Sequence, residues 1–314
     1  MFLFVVTSGS TTLAKAPTLV AASRTAYVAN FVSNSVTPIN MATNTAGKPI
    51  PVGSGPFGIA ITPNGATAYV TNENSYTVTP IDTASDTALK QIPVGSRPLG
   101  IAITPDGATV YVANSLSNTV TPIRTDTNTG GKPIPAGSDP TNIAITPNGA
   151  TAYVANTYGD TVTPINLATN TAGTPIRVGH RPFGIAITPN GATAYVTDVY
   201  SNTVTPIDTA TNTTGTPIPV GIRPVGIAIT PNGVTAYVTN DLSNTVTPID
   251  VATNTSGRPI PVGSGPFGIA ITSNGATVYV ANEDSNSVTR INTSTNTAGK
   301  PIPVGGEPTG IATT

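Results

Sequence analysis

Gly58-Ile59-Ala60-Ile61-Thr62-Pro63-Asn64-Gly65-Ala66-Thr67-Ala68-Tyr69-Val70-Thr71-Asn72 is one copy of a segment that recurs every 42 residues. Its tyrosines are Tyr27, Tyr69, Tyr111, Tyr153, Tyr195, Tyr237 and Tyr279, each opening a Tyr-Val-(Ala/Thr)-(Asn/Asp) tetrad, and no insertion breaks the spacing. A fixed period of this length marks a repeat architecture and has to be read before any local motif. Working outward, Gly58–Thr62 reads as a strand and Pro63-Asn64-Gly65 as a turn, because Pro presets the bend and Asn-Gly accepts positive φ. Thr67–Thr71 is a second strand rich in β-formers, and Thr77–Ile81 a third. The short run Lys90–Val94 is a fourth, closed by Gly95. Four strands per period with no helical periodicity predict a blade of a β-propeller.

Both faces of the first two strands carry Ile, Ala, Val, Tyr or Thr, as expected where a blade is packed between two neighbours. The fourth strand carries prolines at alternate positions, such as Pro49 and Pro51. Proline cannot donate to a ladder, so this strand belongs at the outer edge, and Gly58–Thr62 lines the axis. Pro80 and its counterparts in the third strand are placed at a bulge or where pairing with the outer strand stops. The second, third and fourth strands occur seven times, but the inner strand only six times internally. Gly310-Ile311-Ala312-Thr313-Thr314 supplies the seventh. The predicted fold is therefore all-β: a single seven-bladed β-propeller, four antiparallel strands per blade, closed by the C-terminal strand. The domain division is 1–23 as an N-terminal extension or signal-peptide remnant, with an apolar start at Met1–Val6 and Ala14-Lys15-Ala16 as a cleavage-like site, and 24–314 as the propeller.

Composition narrows the function classes. Charged residues make up 9% of the chain and the net charge is −1, which disfavours a nucleic-acid partner. Gly and Pro number 31 each, but they recur at fixed positions and read as turn punctuation. There is no cysteine, hence no disulfide frame, thiolate metal site or thiol nucleophile. No stretch is long and apolar enough for a membrane span.

The Tyr69-Val70-Thr71-Asn72 tetrad, Pro56-x-Gly58-Ile59-Ala60, Pro63-Asn64-Gly65 and the turn from Asp82 to Asp86 together resemble the YVTN β-propeller repeat family. The resemblance covers about nine-tenths of the chain. It implies a seven-bladed propeller exported to a periplasm or cell surface, as in archaeal surface-layer proteins. Pro80 departs from the family pattern, which has Ser or Val there.

Comparison of the seven repeats with one another separates scaffold from variable positions. Two loops vary, and both lie on the same end of the ring. Before the invariant proline, one loop carries Arg97, Asp139, His180-Arg181, Ile222-Arg223 and Glu307, with Ser or Gly elsewhere. Arginine forks bind carboxylates or phosphates, so Arg97, Arg181 and Arg223, with Asp139 and His180 among them, form a candidate anion site. The residue after that proline is Phe57, Leu99, Thr141, Phe183, Val225, Phe267 or Thr309, expected to pack as core between blades. The other loop carries Phe31, Glu73, Leu116, Tyr158, Tyr200, Leu242 and Glu283-Asp284. Phe31, Tyr158, Tyr200 and Leu242 are candidate contacts for a protein or glycan partner, since aromatics supply contact area.

Several motif matches carry nothing. Gly53–Gly58 and Gly263–Gly268 spell G-x-G-x-x-G, but a strand follows where a dinucleotide fingerprint needs a helix. Asp126-Thr127-Asn128-Thr129 lacks the rest of a calcium loop. His180 is the only histidine, so a multi-histidine metal site is excluded and no metal or cofactor is expected. The inner strands offer only Ile, Ala and Thr, which argues against catalysis at the axis. The expectation from sequence is thus a monomeric, non-enzymatic, extracellular or periplasmic scaffold that presents its variable loops to a partner. The alternatives are an architectural surface-layer domain, or an anion-binding, lyase- or lactonase-like propeller built on Arg97, Arg181 and Arg223.

Overall fold

A computed structural model describes residues 25–314; the expected N-terminal extension lies outside the described residues. Seven antiparallel sheets form a closed ring. Blade 2 is typical, with inner strand Pro56–Ile61, second strand Thr67–Asn72 and third strand Thr77–Asp82. The outer strand is split into two short pieces, Thr87–Ala88 and Ile92–Pro93, which pair with opposite ends of the third strand. Each sheet therefore has five strands rather than four. Pro80 sits in the gap between the two pieces, opposite Tyr69, and its carbonyl accepts a 2.7 Å bond from Leu89 N. That is where a residue without an N–H does least harm to the ladder.

Blades 3 to 7 repeat this pattern from inner strands Pro98–Ile103, Pro140–Ile145, Pro182–Ile187, Pro224–Ile229 and Pro266–Ile271. Blade 1 takes its inner strand, Pro308–Thr313, from the C-terminus; it pairs antiparallel with Thr25–Asn30 through Tyr27↔Ala312 and Val28↔Ile311. The ring is thereby closed by backbone hydrogen bonds, as the strand count predicts. Among the described residues the sole helical element is one 3-10 turn, Asp241–Ser243, and no helix is long and apolar enough to cross a membrane.

The core is divided among the blade interfaces. Between blades 2 and 3, for example, Tyr69, Val78 and Ile92 meet Ile101, Val110, Val112 and Ile123. Each tetrad tyrosine crosses to the next blade and donates its hydroxyl to a turn there. Tyr69 reaches Asn128 Oδ1 at 2.7 Å, Tyr153 reaches Asn212 at 2.8 Å and Tyr195 reaches Asn254 at 2.6 Å. Tyr279 closes the circuit on Asn44 at 3.0 Å, and Tyr27 bonds Asp86 at 2.7 Å. These acceptors all sit at positive φ, a conformation that Asn and Asp tolerate better than other non-glycine residues. The turn after the third strand, Ala42-Thr43-Asn44-Thr45 in blade 1, keeps Asn or Asp at its third position in every blade for a tertiary reason: one residue supplies both the bend and the acceptor.

The last residue of the tetrad is fully buried in every blade. Six blades use Asn, whose amide donates to two Thr or Ser hydroxyls of the third strand, as in Asn72 to Thr77 and Thr79. Blade 5 has Asp198 instead, and there Thr203 and Thr205 turn round and donate to its carboxylate. Burial outweighs these two bonds and pushes the Asp198 carboxyl up to about 6.

A carboxyl whose folded pKa is raised costs nothing when protonated in both states, and destabilises increasingly as pH rises from about 4 to about 6. Asp198→Asn should therefore stabilise the fold at pH 8 by on the order of 2–3 kcal/mol, from a shift of roughly two pKa units. The gain should vanish near pH 4; urea melts at the two pH values check it, and a pH-independent difference would refute the titration account. Tyr153→Phe should cost about 1 kcal/mol for the lost latch, whereas Tyr153→Ala should cost roughly 3–5 kcal/mol through the cavity.

Candidate functional site

Both variable loops sit at the end of the ring where the inner strands begin. The second loop starts with a ring of seven residues, one per blade: Phe31, Glu73, Ser115, Thr157, Val199, Asp241 and Glu283. Thr157 Oγ1 donates 2.7 Å to Pro182 O, at the start of the next inner strand, which fixes this ring of residues at the mouth of the axis. The backbone N–H of each bonds the positive-φ residue of its own blade's first loop, as Ser115 to Arg97 O and Val199 to Arg181 O. A further bond ties neighbouring blades: Asp160 Oδ1 accepts from Arg181 N and Asn202 Oδ1 from Arg223 N, each at 2.9 Å. The loop backbones are thus pinned from two sides while their side chains vary.

The candidate residues meet different partners. Arg97 forms an ion pair with Glu73, which is buried. Arg223 pairs with Asp241 at 3.0 Å. Asp139 accepts a 2.6 Å bond from Ser115 Oγ. His180 Nδ1 lies 3.1 Å from Asp160 Oδ2. Arg181 makes no ion pair among the described residues; its guanidinium lies 4.2 Å from the Tyr158 ring centre and 5.2 Å from that of Tyr200. Tyr158 and Tyr200 remain 61% and 68% exposed, and Leu242 is exposed as well. Phe31 is half-buried.

Blades 6, 7 and 1 bring together a group that the sequence analysis did not assemble. Where Glu73 meets Arg97 of the following blade, Glu283 of blade 7 meets Glu307, which occupies the position equivalent to Arg97. Burial, then Asp241, Glu307 and Asp284, push the Glu283 carboxyl up to about 7, with Arg223 pulling the other way. Burial raises Asp241 too, although Arg223 opposes it. The available signal was the acidic residue after the tetrad in three of seven blades, but only the blade order shows which of the three lacks a cation.

The expectation that the residues after the invariant proline pack as core holds for Leu99, Thr141, Val225 and Thr309, all buried. Phe57, Phe183 and Phe267 instead meet one another across the axis, edge to face, with ring centres 5.4–6.4 Å apart. They stand on blades 2, 5 and 7, spaced three, two and two blades round the ring, so three rings are enough to converge. They line an axial cavity of about 170 Å³ together with Gly58, Gly100, Gly226 and Gly268, and Asn142 is the one amide side chain at that glycine position. Alanine would not fit at most of these glycines; a Cβ on Gly184 would stand 2.1 Å from Val225 O. Among the described residues no group of three or more acidic or histidine side chains could hold a metal ion.

Residues 40–173 match the family described as lactonase, seven-bladed β-propeller. Comparison with curated protein sequences gave no match. Among solved structures, hydrazine synthase of Kuenenia stuttgartiensis is similar at 25% identity and a TM-score of 0.79, covering 85% of this chain and 92% of that one. A protein of unknown function from Desulfotomaculum acetoxidans aligns at 20% identity and a TM-score of 0.82, over 92% and 98% of the two chains. A Bacteroides uniformis protein provisionally assigned as a 6-phosphogluconolactonase aligns at 18% identity and a TM-score of 0.78, over 93% and 100%. The last two likenesses speak to the fold alone.

The lactonase match overturns the expectation of a non-enzymatic scaffold and favours the lactonase-like alternative. The inner strands carry few polar groups, as their sequence shows. In the folded ring, the carboxylates and guanidinium groups reach the mouth from the loops above those strands. Replacement of Glu307 by Gln should draw the Glu283 carboxyl down from about 7 toward the ordinary carboxylate range. Carboxyl ¹³C titration by NMR reads this directly, and an unmoved Glu283 would show that Glu307 does not act on it.

Proposed function

We propose that this protein is a propeller hydrolase that opens a cyclic ester at the mouth of the ring, with Glu283 as general base. The observation that carries the proposal is the half-buried Glu283 carboxyl, held near neutrality at about 7 by burial and by its acidic neighbours. A base poised near the operating pH is the one best suited to proton transfer. Ionised Glu283 would take a proton from water as the water oxygen adds to the ester carbonyl carbon. The ring C–O bond then breaks, and the leaving alkoxide recovers that proton, giving a hydroxy acid. Phe57, Phe183 and Phe267 would offer the apolar floor on which the lactone ring rests, and Asn142 a polar contact to orient it. The lactonase match over residues 40–173 supports the same reading.

At a finer level, the proposal keeps the repeat as one of the YVTN type and the place of action as the periplasm or cell surface, which cell fractionation addresses. For the chemistry, hydrolysis of a panel of γ- and δ-lactones should rise with pH through about 7 and level off above it, because the base must be ionised. Glu283→Gln should lower kcat by roughly 10²–10⁴-fold while the ring stays folded by circular dichroism. Full activity in that variant would remove Glu283 from the mechanism, and inertness of the wild type toward every lactone would sink the hydrolase reading.

A further inference from the structure

Arg97, Arg181 and Arg223 stand at the same position of blades 3, 5 and 6, but their surroundings differ. Glu73 engages Arg97 and Asp241 engages Arg223. Arg181 alone of the three has no carboxylate on its guanidinium among the described residues. The nearby Asp160 spends one oxygen on the backbone N–H of Arg181 and the other on the His180 ring. What holds the Arg181 guanidinium is the pair of rings of Tyr158 from blade 4 and Tyr200 from blade 5.

A cation held over ring faces is attracted by their π clouds, and no acceptor among the described residues takes a hydrogen bond from the Arg181 guanidinium. The five donors stay in the plane, available to an acceptor arriving at the edge. The backbone of this turn is common to the ring: Arg97, Asp139, Arg181, Arg223 and Glu307 all have φ between +51° and +59°, and blades 2 and 7 have Gly55 and Gly265 at φ +65°. The turn therefore projects the three arginines alike, and Arg181 differs from Arg97 and Arg223 in its partners alone. Its charge-uncompensated fork stands one blade interface away from the acidic group on blades 6, 7 and 1.

We propose that Arg181, clamped between Tyr158 and Tyr200, is an oxyanion-binding site that anchors the phosphate monoester or carboxylate of a small ligand away from the axis. Both chemistries present two oxygens to the fork, and bidentate pairing with either is geometrically matched. The neighbouring His180 turns its Nδ1 to Asp160 and leaves its ring largely exposed. The role as a ligand anchor rests on the hydrolase reading only for calling that ligand a substrate; the binding of an oxyanion does not.

The test is calorimetric titration of the intact protein with inorganic phosphate and, separately, with acetate. The wild type should bind at least one of them at a single site. Arg181→Gln should weaken that affinity at least tenfold, and Arg181→Lys should weaken it too, because an ammonium neither stacks nor forks. Arg124→Gln, which removes an exposed rim pair with Asp126, should leave it unchanged. Tighter phosphate than acetate would assign the site to phosphate monoesters, and the reverse order to carboxylates. Absence of binding by the wild type to both probes at millimolar concentration, or equal affinity in Arg181→Gln, would overturn the proposal. Loss of binding in Arg181→Gln together with no lactone hydrolysis by the wild type would uphold this site and reject the hydrolase reading.

Discussion

The ring depends on the hydroxyl of the tetrad tyrosine reaching a side-chain oxygen in the next blade. A propeller blade cannot bury its two faces alone, so each interface must be specified as well as filled. Aliphatic side chains fill it without fixing how far one blade slides past another. The Tyr69–Asn128 type of bond fixes that displacement, because a buried hydroxyl left unpaired carries a desolvation cost. The bond from Tyr279 to Asn44 makes the last interface like the first. The backbone pairing of Pro308–Thr313 with Thr25–Asn30 then closes a ring already set to the right curvature. The C-terminal strand thus leaves the inner edge of blade 1 covered, and the outer edges that remain are short and carry proline, which blunts them.

A stiff, repetitive frame has a consequence for the mouth. The loop backbones there are pinned by bonds between neighbouring blades, such as Arg181 N to Asp160 and Arg223 N to Asn202. Side chains at a given position can therefore change identity without the loop changing path. Seven equivalent positions become seven independent choices, and chemistry arises from which choices fall next to each other. Glu73 beside Arg97 is a neutralised pair, while Glu283, half-buried and facing Asp241 and Glu307, is a carboxyl pushed toward protonation. The same glutamate position yields opposite electrostatics according to its burial and the residues that the neighbouring blades supply.

The inner strands show the complementary case. Their glycines are demanded by the close approach of adjacent backbones at the axis, which leaves little room for functional side chains on the strands themselves. Polar groups have to arrive from the loops, and three phenylalanines from blades 2, 5 and 7 close the space between the strands. A site at the axis is consequently built from residues that are remote in sequence and similar in local context.

The sequence by itself determined the seven blades, their strand order, the outer position of the proline-bearing strand and the closure by Gly310–Thr314. Each of these follows from period, strand count and the missing N–H of proline, all of which are local or countable. It also placed Arg97, Asp139, His180, Arg181 and Arg223 on one end of the ring. Tertiary structure alone decided the partners. Whether an arginine meets a carboxylate or an aromatic face, whether Phe57 turns into the core or toward Phe183 and Phe267, and whether Glu283 faces a cation or another carboxylate depend on side-chain reach across an interface. Those contacts join residues with nearly identical sequence neighbourhoods, so no local pattern distinguishes them. Their outcome is set by the few ångströms of geometry that the tyrosine latches impose between one blade and the next.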